Sequence, residues 1–421
     1  MNTNTKILMF GWEFPPYNSG GLGIACLGLT KSLVKSGVSV SFVLPKKFDL
    51  QHPDINFVFA DTQTVITREN FEFWKQILNP YTILDKQWKE EGFEEKIRQI
   101  IANSEVNSLG QDIYSEVAKY TVLSKTIIQN QEFDCIHCHD WLTIKAGILA
   151  KQMTGKPLIF HIHATEFDRT GGNVNQLIYD IEREGFEYAD KIIAVSNFTK
   201  KIICKHYGVD ANKVEVVHNG IDYHLESTAS KDEEILQNLL DIKSLGYKLV
   251  TFIGRFTYQK GIEYFLEAAK TVLEKDKNLK FVIVGGGDME ENIIEKVASL
   301  GLSTSVIFTG FLREEKLRSI YSVSDIFVMP SVSEPFGLVA LEAIVHHTPT
   351  ILSKNSGVSE VISHSLKVDF WDSYKIAHFI LAILEYEVLH KFLSTEAKNE
   401  VQKISWDKAA QKIKNLYQEV S

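Results

Sequence analysis

Short apolar runs alternate with longer amphipathic stretches from one end of this chain to the other, and that alternation constrains the fold more than any other feature. Before residue 220 the runs are Ile7 to Phe10, Val38 to Leu44, Asn56 to Phe59, Phe133 to Cys138, Leu158 to His163, Ile192 to Val195 and Val214 to Val217. They resume at Leu249 to Ile253, Phe281 to Val284, Val306 to Phe308, Ile326 to Met329 and Thr350 to Leu352. Most intervals are long enough for a crossover helix, which makes each run a strand of a parallel sheet covered on both faces. About seven strands precede residue 220 and five or six follow it, more than one open sheet usually holds. The expectation is an α/β chain with two doubly wound, Rossmann-like domains.

The polar, small-residue stretch Glu226 to Glu234 reads as the linker, giving a first domain over 1–222 and a second over 223–399. A mainly helical segment over about 61–131 is too long for a simple crossover and reads as an insertion, either a lid on the acceptor side or plain decoration. Near the end, Trp406, Ala409, Ala410, Ile413, Leu416, Tyr417 and Val420 follow helical spacing, so a terminal helix over about 400–421 has an apolar face to dock.

Composition excludes several classes. A formal charge of −9 with 44% hydrophobic and 24% charged residues is globular, neither disordered nor a broad nucleic-acid binder. No signal peptide or apolar run of membrane-spanning length is read, and four cysteines make no disulfide framework, which fits the cytoplasm. Cys135 and Cys138 lie three apart on an expected strand and so point to opposite faces, which speaks against a shared metal or a redox pair.

Three motifs carry chemistry. In Gly11-Trp-Glu-Phe-Pro-Pro-Tyr-Asn-Ser-Gly-Gly-Leu-Gly23, Ser19 suits a helix N-cap, and Gly20 and Gly21 expose amides where a phosphate binds without a basic side chain. The dinucleotide spacing G-x-G-x-x-G is missing and the second strand ends Val-Leu-Pro-Lys46, which disfavours hydride transfer. In Gly254-Arg-Phe-Thr-Tyr-Gln-Lys-Gly261, Arg255 and Lys260 bracket a turn after a strand, suited to a diphosphate or simply solvated. In Pro330 to Ala343, Pro335 suits the first turn of a helix with Glu334 at its mouth and Glu342 about two turns along. Two carboxylates there suit sugar and ribose hydroxyls, or an ordinary solvated helix face. His139-Asp-Trp141 and His161-Ile-His163 follow other strands, and Gly285-Gly-Gly-Asp288 is either a nucleobase contact or a turn.

Together these motifs resemble the retaining glycosyltransferases of family 4, with the Glu334 to Glu342 spacing and the upstream Arg255 and Lys260 as the most specific elements. Ala189 to Asn197 and Val217 to Asp222 also look like family landmarks, and the glycine-rich turn, His139-Asp-Trp141 and Glu334 to Ala343 look most like the glycogen/starch synthase branch. The resemblance implies a GT-B fold, two domains facing a central cleft, with the terminal helix crossing back onto the first domain. It also implies transfer of a hexosyl group from a nucleotide sugar, ADP-glucose or UDP-glucose, to an α-1,4-glucan. By the same resemblance Arg255 and Lys260 hold the diphosphate, aided by Gly20 and Gly21, and Glu342 binds ribose. Glu334 binds the sugar and stabilises charge at its anomeric carbon, supported by the amides of Phe336, Gly337 and Leu338. His163 lines the donor sugar, while Asp140 and Trp141 face sugar or acceptor. No Asp-x-Asp triplet occurs, so no cofactor and no metal are expected. Alternatives are a family 4 enzyme with another acceptor (surface, lipid-linked or small sugar) and a sugar-nucleotide-binding protein that no longer transfers.

Overall fold

The computed structural model describes residues 5–18, 20–50, 52–62, 113–222, 234–312 and 314–421. Seven strands form the first sheet: β1 Lys6–Phe10, β2 Ser39–Leu44, β3 Asn56–Phe59, β4 Cys135–His139, β5 Leu158–Ile162, β6 Lys191–Ala194 and β7 Val214–Val216. Their order is β3-β2-β1-β4-β5-β6-β7. The second sheet holds β8 Lys248–Ile253, β9 Leu279–Val284, β10 Val306–Gly310, β11 Ile326–Met329, β12 Thr350–Ser353 and β13 Leu366–Val368 in the order β10-β9-β8-β11-β12-β13. Every strand pair is parallel. Each of the twelve apolar runs therefore matches a strand to within two residues at either end. β13, three residues with one fully buried, is the strand whose pattern is too short to read.

Each sheet reverses its winding once, between β1 and β4 in the first and between β8 and β11 in the second. Ligands of open parallel sheets bind beyond the carboxyl ends of the strands at such a switch point. The glycine-rich turn follows β1, His139-Asp-Trp141 follows β4, the Arg255–Lys260 turn follows β8 and the Glu334 loop follows β11. These four motifs thus converge on the two switch points, while His161-Ile-His163 lies at the end of β5 and Gly285-Gly-Gly-Asp288 follows β9.

Several local expectations change. Helix Leu338–Val345 begins three residues after Pro335, with Gly337 as its N-cap, so Glu334 sits in an extended loop bridged to Ser356 rather than at a helix mouth. Glu342 is consequently about one turn into that helix. Of the stretch 61–131, residues 63–112 lie outside the described residues. Helix Ile113–Asn130 is core, not decoration: its Tyr120 is buried and donates from its hydroxyl to the carbonyls of Gly11 and Val43. Cys135 and Cys138 pack in different clusters on opposite faces of β4.

The chain end is two helices. Glu387–Val401 packs on the second sheet's helices, with Ala397 and Val401 in that core. Trp406–Val420 packs on helix Gly21–Lys35 of the first sheet, burying Ala410, Ile413 and Tyr417 fully. The indole of Trp406 occupies the space a β-carbon at Gly28 would need. Burying the large apolar side chains of this helix contributes on the order of 5 kcal/mol.

The two passages between the sheets touch each other. A β-carbon on Gly220 would lie 2.1 Å from the backbone nitrogen of Trp406. Gly220→Ala should therefore push the two backbones apart and destabilise the protein by about 1–3 kcal/mol, the usual cost of overpacking. A thermal melt of that variant matching the parent would show that this contact is not close.

Candidate active site

Lys260 and Glu334, on turns from adjacent strands, form an ion pair. Lys260 Nζ lies 2.7 Å from Glu334 Oε2, and the Glu334 side chain is only 8% exposed. Ser331 Oγ donates to the same carboxylate oxygen at 3.1 Å. Two backbone features hold these turns together. Val332 N–H donates to the Gln259 carbonyl, and Gly261, at φ +67°, passes so close that a β-carbon would meet the Pro330 oxygen at 2.1 Å. Arg255 is exposed and makes no side-chain hydrogen bond or ion pair among the described residues, so its guanidinium is available to an anion. Gly285 and Gly287 press on the backbone of Gly254 and Phe256, which explains these two glycines as close-approach residues.

Glu342 lies deeper. Tyr321 OH donates to its Oε2 at 2.9 Å, and burial raises its pKa against the opposing pull of that bond and of Arg318. Phe336 is buried in the second-sheet core, and Leu338 opens the helix behind Gly337.

From the first sheet, helix Gly21–Lys35 starts with Gly20 at the N-cap position, both glycines exposed with open space where a side chain would be. Ser19 lies outside the described residues. Glu13 Oε1 accepts from the Gly23 amide at 2.9 Å, a cap from a residue that sequence reading passed over.

Asp140 and Trp141 are placed differently from expectation. Trp141 is 5% exposed and packs in the first-sheet core, its ring near Tyr114, so it offers no open face to a sugar. Asp140 is buried, and its carboxylate faces inward. Oδ1 accepts from the amides of His163 (2.6 Å) and Ala164 (3.3 Å), and Oδ2 from Arg169 at 3.3 Å. Its backbone, at φ 56° and ψ 177°, occupies a region nearly reserved for glycine. That strain persists because the Asp140 amide also donates to the His161 carbonyl. Asp140 thus fixes the segment that carries His163. Arg169 extends the network to Glu182, whose buried carboxyl is pushed up to about 7 by burial.

That segment bridges the sheets. Thr165 and Asp168 form a capping box on the short helix Glu166–Thr170, and Asp168 Oδ1 accepts from Ser333 Oγ at 2.6 Å in a buried contact. Gly171 touches the ring of Tyr258, two residues before Lys260. The loop carrying His163 is therefore in contact with both the Lys260 turn and the Glu334 loop.

A second clasp lies beside it. Glu360 accepts from the amides of Asn197 (2.9 Å) and Phe198 (2.7 Å), from Asn197 Nδ2 (2.9 Å) and from His218 Nε2 (3.0 Å). It thereby caps the first-sheet helix Asn197–Tyr207 from the other domain. Burial alone would raise the Glu360 pKa, but these bonds, His218 foremost, bring it down to about 2.

Two parallel-sheet domains that face each other across their switch points define the GT-B class of glycosyltransferases. The family models described as Glycosyltransferase Family 4 and Glycosyl transferases group 1 match residues 19–225 and 241–399. Over 426 residues the chain is 32% identical to an uncharacterized glycosyltransferase of Methanocaldococcus jannaschii, covering 98% of this chain and 97% of that protein. The chain belongs to the family 4 glycosyltransferases. It is also 33% identical over 244 residues to the alpha-maltose-1-phosphate synthase of Mycolicibacterium smegmatis, covering 54% of this chain and 61% of that one. Among solved structures, sucrose-phosphate synthase from Thermosynechococcus elongatus is similar with TM-score 0.74 and 20% identity, over 99% of both chains.

Because the folded-state pKa of Glu360 is depressed, its contribution to stability is present above about pH 4.5 and is lost as pH falls toward 2. Glu360→Ala should cost about 1–2 kcal/mol at neutral pH by uncapping the helix and unpairing His218. Its stability should fall less steeply than the parent's between pH 4.5 and 2. Identical acid limbs in chemical denaturation would remove Glu360 from the interface.

Proposed function

We propose that this chain is a retaining hexosyltransferase that moves glucose from ADP-glucose or UDP-glucose to an α-1,4-glucan without a metal ion. The observation that carries this reading is the Lys260–Glu334 pair at the second sheet's switch point, with Arg255 open beside it and the His163 loop against both turns. Lys260 neutralises Glu334. An arriving diphosphate shares Lys260 and engages Arg255, a fork and a point charge together. Amides at Gly20 and Gly21 meet the phosphate from the first domain. Glu342 takes the ribose hydroxyls, and the amides of Phe336, Gly337 and Leu338 support sugar and phosphate oxygens.

The chemistry proceeds on one face of the sugar. The bond from the anomeric carbon to the phosphate oxygen breaks, its electron pair leaving with the nucleotide. The acceptor hydroxyl bonds to the same carbon and hands its proton to the departing phosphate. Positive charge at the anomeric carbon is countered by Glu334, and negative charge on the phosphate by Lys260 and Arg255, so electrostatic stabilisation carries the rate. With two cations at the diphosphate, a divalent metal has no task to fill. Glycogen synthase of Mycobacterium tuberculosis, 25% identical over 85% of this chain, supports the glucan reading. The named acceptors of other relatives, such as D-inositol 3-phosphate, belong in the same acceptor panel.

Lys260→Ala should lower turnover about 30- to 1000-fold, equivalent to roughly 2–4 kcal/mol at the transition state. Glu334→Ala should cost at least as much, and Glu342→Ala should chiefly weaken nucleotide binding. Near-normal kinetics in both Lys260→Ala and Glu334→Ala would displace the site. Turnover should persist in EDTA, with the product's anomeric configuration, read by proton NMR, matching the donor's. Loss of turnover in chelator with recovery in Mn²⁺ would remove metal independence, and a panel in which only non-glucan acceptors react would replace the acceptor.

A further inference from the structure

Four histidines lie on one face of the first sheet. His137 and His139 alternate in β4, and His161 and His163 alternate at the end of β5, with His139 directly opposite His161. Helices Gly21–Lys35 and Trp406–Val420 cover this face. The rings are close, with centroids 4.6 Å apart for His137 and His139 and 4.4 Å for His161 and His163. They bond in pairs: His139 Nδ1 to His163 Nε2 at 2.9 Å, and His137 Nε2 to His161 Nδ1 at 3.2 Å. Tyr417 OH, from the terminal helix, closes the second pair on His137 Nδ1 at 2.6 Å.

Burial lowers the pKa of all four imidazoles, so at neutral pH each carries one N–H and one lone pair. The decisive atom is His139 Nε2, buried with no partner. A buried N–H without an acceptor is rarer and costlier than a lone pair without a donor. The proton of His139 therefore sits on Nδ1 and points at His163 Nε2, which accepts it. His163 must then carry its own proton on Nδ1. That nitrogen has no partner among the described residues and is not among the buried unpaired atoms, so it faces the open side of the half-buried ring.

We infer that His139 is a positioning residue that locks His163 in the Nδ1–H tautomer, so that His163 presents a hydrogen-bond donor, not a base, to a hydroxyl or phosphate oxygen in the cleft. The inference rests on the proposed function only where it makes that oxygen part of the donor sugar nucleotide. A cation is the competing occupant, because donor atoms of His137, His139 and His161, and of Cys26, His139 and His163, lie within 4.8 Å of one another. The fully buried triad offers no anionic ligand, and the nitrogens already bond each other. Both facts favour the paired imidazoles over a buried positive ion.

The test starts with ¹⁵N NMR of histidine-labelled protein without ligand, which reads tautomers whatever the enzyme transfers. The expected pattern for His163, assigned by its loss in His163→Gln, is protonated Nδ1 and bare Nε2. In His139→Leu that preference should disappear, while His139→Asn, whose amide places a donor near the former Nδ1, should restore it. Kinetically, His139→Leu should lower kcat about tenfold or more with the nucleotide dissociation constant changed less than about twofold, and His139→Asn should recover most of the loss. A protonated Nε2 on His163 in the parent protein, or a tautomer unchanged in His139→Leu, would overturn the lock. So would stoichiometric Zn²⁺ uptake that is lost with His139. If the leucine variant does not fold, the parent spectrum and the asparagine variant still decide it. The expected tautomers in a protein that turns over no nucleotide sugar would overturn the proposed function and leave the lock standing.

Discussion

A parallel sheet that winds both ways from a central pair of strands must leave a gap where its connections part, and this chain does so twice. Between β1 and β4, and again between β8 and β11, successive crossovers leave in opposite directions. The loops there have no neighbouring loop to pack on, so their amides and side chains are left for a ligand. The glycine-rich turn, His139-Asp-Trp141, the Arg255–Lys260 turn and Glu334 lie on those four loops, and His163 lies just after β5. What remains for tertiary structure is to turn the two gaps toward each other, which the Asp168–Ser333 and Glu360 contacts accomplish.

The architecture was legible because it is written in periodicity, and burial on both faces of a parallel strand leaves a continuous apolar run that no local interaction disguises. The site was legible in part. Lys260 and Glu334 were each singled out, but their ion pair joins residues 74 apart in sequence and depends on β8 lying beside β11. Trp141 and Asp140 drew attention as a polar and an aromatic residue at a strand end, yet the ring is swallowed by the core and the carboxylate faces inward. Pro335 misled because a proline suited to a first helical turn also suits the extended loop that precedes one. Glu360 was silent: it sits in a four-residue helix and gains meaning only from amides on another domain.

The structure concentrates unfavourable geometry near the site. Asp140 holds a backbone conformation costing about 1–3 kcal/mol, Glu182 is a buried carboxyl, and two imidazole nitrogens are left without partners. Such features survive where surrounding contacts over-determine them. Here Arg169 links Asp140, Glu182 and the Ala164 carbonyl, so the His163 loop is held by charge-assisted bonds in addition to the packing of Phe167 on the core. Directional bonds fix orientation more tightly than nonpolar contact does, which suits a loop whose task is to aim one ring nitrogen.

The contact between Gly220 and Trp406 has a mechanical meaning. Two covalent passages set far apart on an interface would act as a rigid strut, allowing at most a slight twist. Set against each other, backbone on backbone, they fix the separation at one spot and leave the angle about it to the Asp168–Ser333 and Glu360 contacts. Any change of that angle turns the halves about that spot. The displacement is then smallest where the chain passes over and grows with distance from it, so a small change at the joint is delivered enlarged to the far rim of the cleft.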